Sequence, residues 1–328
     1  MTARPDRVDR PRLCAPVPGR SHPVTSPAAV FGGERARLWA TAYRLLGSVA
    51  DADDAVQTVW LRWLEAAPAD VESPIAWLIT TLTRLCIDEL RSARRRRVSY
   101  VGPWLPEPLI ADAHPLASEL VERDESLSLA HLVLLDRLGP LERAAVVLHD
   151  ALDWSHGEIG RVLGKSEPAC RQILARARRR LAAAPVAAPA RSARTADLGR
   201  RFLAALARGD VPRLLEALDA SAVLLSDGGG RVVAALNPIH GRDRIGRLLA
   251  GLIAKHYEPL TFRAVSVNGA PGLWLAHPGA APYAVIAFGF SPDGERVSAI
   301  YALRNPDKLR AVSPAVTSVK PAIVRRRR

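Results

Sequence analysis

Residues Trp154–Leu181, WSHGEIGRVLGKSEPACRQILARARRRL, punctuate themselves as two helices and a turn. Ser155-His156-Gly157-Glu158 is a capping box: the serine hydroxyl takes the backbone N–H three residues on, and the glutamate reaches back. Ile159, Val162 and Leu163 form the buried side of the short helix that follows, and Gly164 supplies the left-handed residue that ends it. Ser166 caps a second helix, with Pro168 tolerated in its first turn. Cys170, Ile173, Leu174, Ala177 and Leu181 fall on one face of that helix; Arg171, Gln172, Ala175 and Arg178 point away. An apolar inner face with an Arg/Gln outer face suits the major groove of DNA, where Arg pairs with guanine edges and Gln with adenine. Arg176, Arg179 and Arg180 are expected on phosphates, which position a helix without reading sequence. The competing explanation is an ordinary helical hairpin with a basic exterior. Cys170 reads as a small core residue. His149 and His156 have no ligand-spaced partners and read as surface or cap residues.

The charge balance favours the DNA reading. Lys and Arg number 46 against 33 Asp and Glu, a formal charge of +13. The excess is concentrated at Arg91–Arg97, Arg171–Arg180 and Arg325–Arg328, and without those runs the two signs nearly balance. Positive charge gathered in short acid-free runs points to a polyanion. The remaining composition mostly excludes. No stretch approaches the ~18 apolar residues of a membrane-spanning helix. The first thirty residues lack the apolar run of a secretory signal. Cys14, Cys86 and Cys170 are too few and too scattered for a disulfide framework or zinc knuckle. A soluble, cytoplasmic protein of two or three domains is expected, with no metal and no cofactor.

Outward from the helix pair, apolar stripes at helical spacing run from Phe31 to about Arg97. They are Leu38, Ala42, Leu45 and Leu46; Val56, Val59, Trp60, Trp63 and Leu64; and Ile75, Leu78, Leu82, Leu85 and Leu90. Gly47-Ser48 and the loop 66–74 separate three helices. Residues 98–124 carry linker prolines, and helical periodicity returns at Leu127. Beyond a second Ala/Pro-rich linker the pattern changes. Two helices, Leu198–Leu206 and Val211–Leu218, precede β-rich runs at Ala222–Leu225, Val232–Ala235, Thr261–Val267, Leu273–Ala276, Tyr283–Phe290 and Val297–Leu303, with one more helix at Arg242–Ala254. This predicts an α+β domain. The chain divides into a lead-in (1–28), a helical bundle (29–98), a linker (99–125), the helix-turn-helix unit (126–183), a second linker (184–196), the α+β domain (197–312) and a basic tail (313–328).

With these residues in view, the chain resembles a bacterial RNA polymerase sigma factor: 31–97 is similar to region 2 and 127–181 to region 4, and the lack of a large middle domain resembles the extracytoplasmic-function group. Beyond Asp197 it resembles a SnoaL-like domain of the NTF2-like fold, a cone-shaped α+β barrel. Sigma factors with this fused domain carry three motifs, found here at Trp104-Leu105-Pro106-Glu107-Pro108, Asp227-Gly228-Gly229-Gly230-Arg231 and Asn305-Pro306-Asp307-Lys308-Leu309. Arg231 stands where the motif has lysine, and a planar fork is not a point charge. The resemblance implies core RNA polymerase (β′ clamp and β flap) and promoter DNA as partners, with no membrane and no cofactor. It implies polymerase binding by Asp51, Asp53, Asp54 and Gln57, with Trp60 packed below. It implies −10 contacts from Asp88, Arg91, Arg94 and Arg95, and −35 contacts from Pro168, Arg171, Gln172, Ala175, Arg176, Arg178 and Arg179. In the family, loop 66–74 captures a flipped base. The three motifs imply regulation in cis, with Trp104 the linker's anchor and Pro106 a further regulatory residue, and a small-molecule ligand in the C-terminal domain is left open.

Two other functions compete. A stand-alone regulator with a ligand-sensing domain needs no polymerase contact. An NTF2-like isomerase or cyclase with a DNA-binding appendage needs a general base among Asp227, His240, Asp243, His256, Tyr283 and Tyr301. No mutually poised titratable pair stands out among these, so catalysis rests on fold analogy alone.

Overall fold

The computed structural model describes residues 26–66, 71–110, 127–182, 193–255, 260–279, 281–310 and 312. Helix α1 (Pro27–Leu46) starts on the Ser26 cap with proline at its first position and stops at Gly47, whose φ is +69°. Ser48 then caps α2 (Val49–Glu65) by accepting from the Asp51 N–H. Helix α3 (Pro74–Arg97) packs on both. α4 (Leu129–Leu135) and α5 (Pro140–Leu152) lead into the helix-turn-helix, α6 (His156–Leu163) and α7 (Glu167–Ala182). The capping box forms as its spelling requires: Ser155 N–H donates to Glu158 at 2.8 Å while the serine hydroxyl accepts from the Glu158 N–H at 3.3 Å. Gly164 ends α6 at φ +63°.

The three-helix bundle and the helix-turn-helix share one apolar core. Leu38, Tyr43, Leu82 and Cys86 pack in the same cluster as Val147, Leu148, Ile159, Cys170 and Leu174. Arg84 of α3 adds a polar tie, donating to the carbonyls of Val162 at 3.1 Å and Arg161 at 3.3 Å, the orphan acceptors at the end of α6. Arg143 of α5 is 1% exposed and donates to the Arg44 carbonyl of α1 at 3.1 Å.

The C-terminal part follows α8 (Ala193–Arg208) and α9 (Val211–Ala217) with strands β1 (Leu218–Asp227) and β2 (Ile239–His240), helix α10 (Arg242–Lys255), strands β3 (Thr261–Val267), β4 (Ala270–Ala276), β5 (Pro282–Phe290) and β6 (Val297–Leu303), and a last turn α11 (Pro306–Leu309). The sheet order is β2-β1-β6-β5-β4-β3, parallel between β1 and β6 and antiparallel elsewhere. The α+β architecture is the one expected, with one element displaced. Val232–Ala235 is loop, and the short strand lies at Ile239–His240. The glycines bend the chain at once, with the Arg231 and Val232 N–H groups both turning back to the Gly228 carbonyl, and Val233 is left 87% exposed.

Both sheet faces are covered, which explains why Tyr283–Phe290 is almost continuously apolar. Ala284, Phe288 and Phe290 face Leu198, Phe202 and Ile245 of the helices. Val285, Ala287, Ala299, Tyr301 and Leu303 face Leu105 and Ile110 of the first linker and Leu129 and Ala130 of α4. The linker also meets the free edge of β3 at the strand's end, where Ile110 bridges Val267.

Candidate functional site

Helix α7 presents Pro168, Arg171, Gln172, Ala175, Arg176, Arg178 and Arg179 to solvent. Arg171 pairs with Glu167 at 2.7 Å and Arg178 with Asp150 at 2.9 Å, both exposed. Such pairs are worth about 0–1 kcal/mol, so either arginine can exchange its partner for a phosphate. Arg180 points back to Glu142 of α5 at 2.6 Å, because the last turn of α7 lies against the start of that helix. His149 and His156, unrelated by spacing, meet with ring centroids 5.5 Å apart.

On α2, Asp53, Asp54 and Gln57 are exposed on one face, and Asp51 and Trp60 are half-buried. Asp53 accepts from the Trp39 indole at 2.7 Å, and Trp60 packs on Phe31 at 4.8 Å. On α3, Asp88 and Arg91 form an exposed pair at 3.0 Å and Arg94 is exposed. Trp77 packs on Trp63, a half-core position. The Arg95 side chain, positions 67–70 of the 66–74 loop, and the tail 313–328 lie outside the described residues.

The three motifs meet at one buried carboxylate. Asp227 is 0% exposed. One of its oxygens accepts from the Tyr100 hydroxyl at 2.5 Å and the Gly229 N–H at 3.0 Å. The other accepts from the Leu105 N–H at 2.9 Å and the Lys308 ammonium at 2.7 Å. Lys308 also donates to the Leu105 carbonyl and lies 4.0 Å from the centre of the Trp104 ring. Asn305 donates to the Tyr100 hydroxyl at 3.0 Å and caps α11. Pro306 opens that turn and Leu309 is 1% exposed in the core beneath it. Gly228 and Gly229 could carry no side chain here: a Cβ on Gly229 would sit 2.3 Å from the Asn305 amide, and one on Gly228 2.5 Å from the Val232 carbonyl. Gly230 has φ +69°. Arg231 reaches Asp307 at 3.4 Å on the surface, so the buried cation is Lys308.

The linker residues sit at different depths. Trp104 is half-buried, Pro106 is buried, and Leu105 between them is fully buried. Glu107 swings the other way, onto the start of α2, accepting from the Val49 N–H at 2.6 Å and the Ser48 hydroxyl at 3.2 Å. Burial raises its carboxyl above the ordinary 4.5, against hydrogen bonds from Val49 and Ser48 and the charge of Lys308 that lower it. A raised folded value means the docked state binds the proton more tightly than the free one. Glu107's share of docking is therefore complete below about pH 4.5 and is lost as pH rises through the raised value. Glu107→Gln keeps an oxygen for Val49 without a charge to desolvate. Urea midpoints at pH 5 and pH 7.5 should differ less in this variant than in the parent chain.

A second junction was not legible in the sequence. Asn268, at the β3–β4 turn with φ +50°, is 1% exposed. Its side-chain oxygen accepts from the Leu109 N–H at 3.0 Å, and its amide donates to the Tyr43 hydroxyl at 3.0 Å and the Leu127 carbonyl at 2.8 Å. Its backbone N–H donates to the Leu109 carbonyl at 2.8 Å. Tyr43 in turn donates to the Glu107 carbonyl at 2.5 Å. One asparagine thus ties α1, the linker and the lead into α4 to the sheet. An Asn-Gly turn was the available signal, but turn chemistry does not name partners 141 or 225 positions away.

Among the described residues no group of three or more His, Cys, Asp or Glu could hold a metal, and no helix is long and apolar enough to cross a membrane.

Comparison with known proteins agrees with this organisation. Residues 31–96 match the Sigma-70 region 2 model and residues 130–181 match Sigma-70, region 4. The chain is 38% identical to the ECF RNA polymerase sigma factor SigJ of Mycobacterium tuberculosis, over 85% of this chain and 91% of that protein. It is 32% identical to the probable ECF RNA polymerase sigma factor SigI of the same species, over 86% and 94%. The crystal structure of M. tuberculosis SigJ superposes with a TM-score of 0.69 at 32% identity, covering 86% of this chain and 97% of that one. Helix-turn-helix, acidic α2, basic α3 and an α+β domain tied through three motifs therefore have one family context: the chain belongs to the extracytoplasmic-function sigma factors of the sigma-70 family.

Proposed function

We propose that the described arrangement is the closed, resting form of a sigma factor whose C-terminal domain restrains it in cis. As a member of its family the chain binds core RNA polymerase and directs promoter-specific initiation. The assignments are region 2 at 29–98, region 4 at 126–183 and a regulatory domain at 197–312, joined by linkers 99–125 and 184–196. Asp51, Asp53, Asp54, Gln57 and Trp60 serve the polymerase; Asp88, Arg91, Arg94 and Arg95 the −10 element; and Pro168, Arg171, Gln172, Ala175, Arg176, Arg178 and Arg179 the −35 element.

One observation carries the closed reading. Arg91 and Arg94 of α3 line the same groove as Arg176 of α7. The −10 and −35 elements lie about 25 base pairs apart, roughly 85 Å of duplex. Helices that share a groove cannot occupy both elements, so the shared core must part before both are read. The C-terminal domain opposes parting because Asp227, Lys308 and Asn268 hold the linker, and Asn268 holds α1 as well.

Asp227 is occupied by structural contacts and is not free to act as a base. Both oxygens of Asp227, the best-placed candidate base, are engaged by the linker, the glycine turn and Lys308. The test is assembly with core polymerase and promoter-dependent transcription by the full chain. Failure to assemble, or no transcript beyond those of core alone, ends the proposal. Within region 4, Arg171→Ala is expected to cost about 1–3 kcal/mol at its cognate base and relax specificity there. Arg179→Ala should weaken all sequences alike and reduce the salt slope by about one. Fluorescence anisotropy on matched and mutated −35 duplexes across salt concentrations separates the two.

A further inference from the structure

We propose that the groove between α3 and α7 is a binding site for a phosphate-bearing small molecule of nucleoside di- or triphosphate size, whose occupancy holds the chain closed. The groove is open to solvent and offers about 790 Å³, within the ~300–1,000 Å³ usual for small-molecule sites. Its charged rim comes from different elements: Arg94 from α3, Lys165 from the α6–α7 turn and Arg176 from α7. Leu141 and Ile173 give it an apolar floor.

The decisive feature is what these cations lack. On the same surface Arg91, which also lines the groove, and Arg171, Arg178 and Arg180 each pair with a carboxylate, while Arg179 reaches only the Ala175 carbonyl. Among the described residues, the side chains of Arg94, Lys165 and Arg176 make no hydrogen bond and no ion pair. Glu142, the acid lining the groove, is already engaged by Arg180 and by the Gly139 N–H. Closing the two helical units thus brings three uncompensated cations to one concavity, where they repel one another and raise the local anion concentration. Gly139 and Pro140 place the positive end of the α5 dipole at the same groove. A single phosphate would leave the floor uncovered; a di- or triphosphate on a planar ring meets both rim and floor.

The second part of the proposal rests on the closed reading above. The rim belongs to two units that must part, so a ligand bound across it favours the closed form in proportion to its occupancy. It also covers Arg94 and Arg176, the residues assigned to promoter DNA.

The experiment is calorimetric titration of the full free chain with inorganic pyrophosphate and with ATP at 0.15 M salt. The variants are Lys165→Ala, Arg94→Ser, Leu141→Trp and, outside the groove, Arg200→Ser. Lys165 and Arg94 are exposed and unpartnered, so their loss leaves the fold intact, which thermal melting checks. ATP should bind more tightly than pyrophosphate. Each groove cation removed should weaken binding about tenfold, Leu141→Trp should weaken ATP more than pyrophosphate, and Arg200→Ser should match the parent. Equal affinity in all variants would mean an adventitious ion only and overturn the site. Binding of duplex DNA but of neither small anion would overturn it as well. Core-polymerase assembly is then timed with and without ATP. Slower assembly supports the linkage, whereas groove-specific binding with unchanged assembly overturns the linkage and faults closure, not the site.

Discussion

Asp227→Ala is expected to free the first linker from the C-terminal domain and raise the chain's affinity for core RNA polymerase. The substitution strands the Lys308 ammonium, 8% exposed, together with the Tyr100 hydroxyl and the Leu105 N–H, all buried or half-buried and all directed at the missing carboxylate. Removing one partner of a buried ion pair costs about 3–5 kcal/mol, mostly because the remaining charge is left dry. That shifts the balance between docked and undocked linker by about 10²–10⁴-fold. Hydrogen exchange at the Leu105 amide reads the release directly, and polymerase affinity reads its consequence. The double variant Asp227→Leu/Lys308→Met should recover much of the loss, since neutral side chains of similar bulk leave no charge to desolvate. If the Leu105 amide stays protected in Asp227→Ala, the buried pair is not what holds the linker.

Asn268→Ala is expected to be the other severe substitution. It removes three hydrogen bonds and leaves the Leu109 N–H and the Leu127 carbonyl unsatisfied in a dry junction, at about 1–3 kcal/mol each. It also puts alanine at φ +50°, where asparagine is better tolerated. Asn268→Gly separates the two causes, because glycine accepts the backbone angle and loses the same hydrogen bonds. Both variants should unfold at lower urea, with alanine the worse. A double-mutant cycle with Tyr43→Phe should show coupling between two residues 225 positions apart. Additive losses would mean that the sheet does not hold α1 through this contact.

Much of the architecture was legible because it is written locally. The Ser155–Glu158 box, the Gly164 stop and the alternation of apolar and Arg/Gln positions on α7 are contacts within four residues, and each forms as spelled. Strand Tyr283–Phe290 was also visible, although its unbroken apolar character does not say what covers the second face. The strand expected at Val232–Ala235 failed because β propensity counts for little where a glycine turn takes the chain off the sheet edge. The Asp-Gly-Gly-Gly turn was read as a tight turn, which it is, but its aspartate serves the linker more than the turn. Trp104 drew attention by size, while Leu105 proved the deeper anchor and Glu107 turned to cap α2.

By itself the sequence determined the helices, their caps and buried faces, the concentration of positive charge on α3 and α7, and the order of the units, since each follows from neighbours along the chain. Only the tertiary structure decided that Asp227 and Asn268 hold the linker, that α1 and the sheet share a junction, and that Arg94, Lys165 and Arg176 converge unpaired on one groove. Asp227 and Asn268 engage backbone N–H and carbonyl groups across more than a hundred residues. Because every residue carries those groups, no side-chain pattern announces the pairing before the chain has folded.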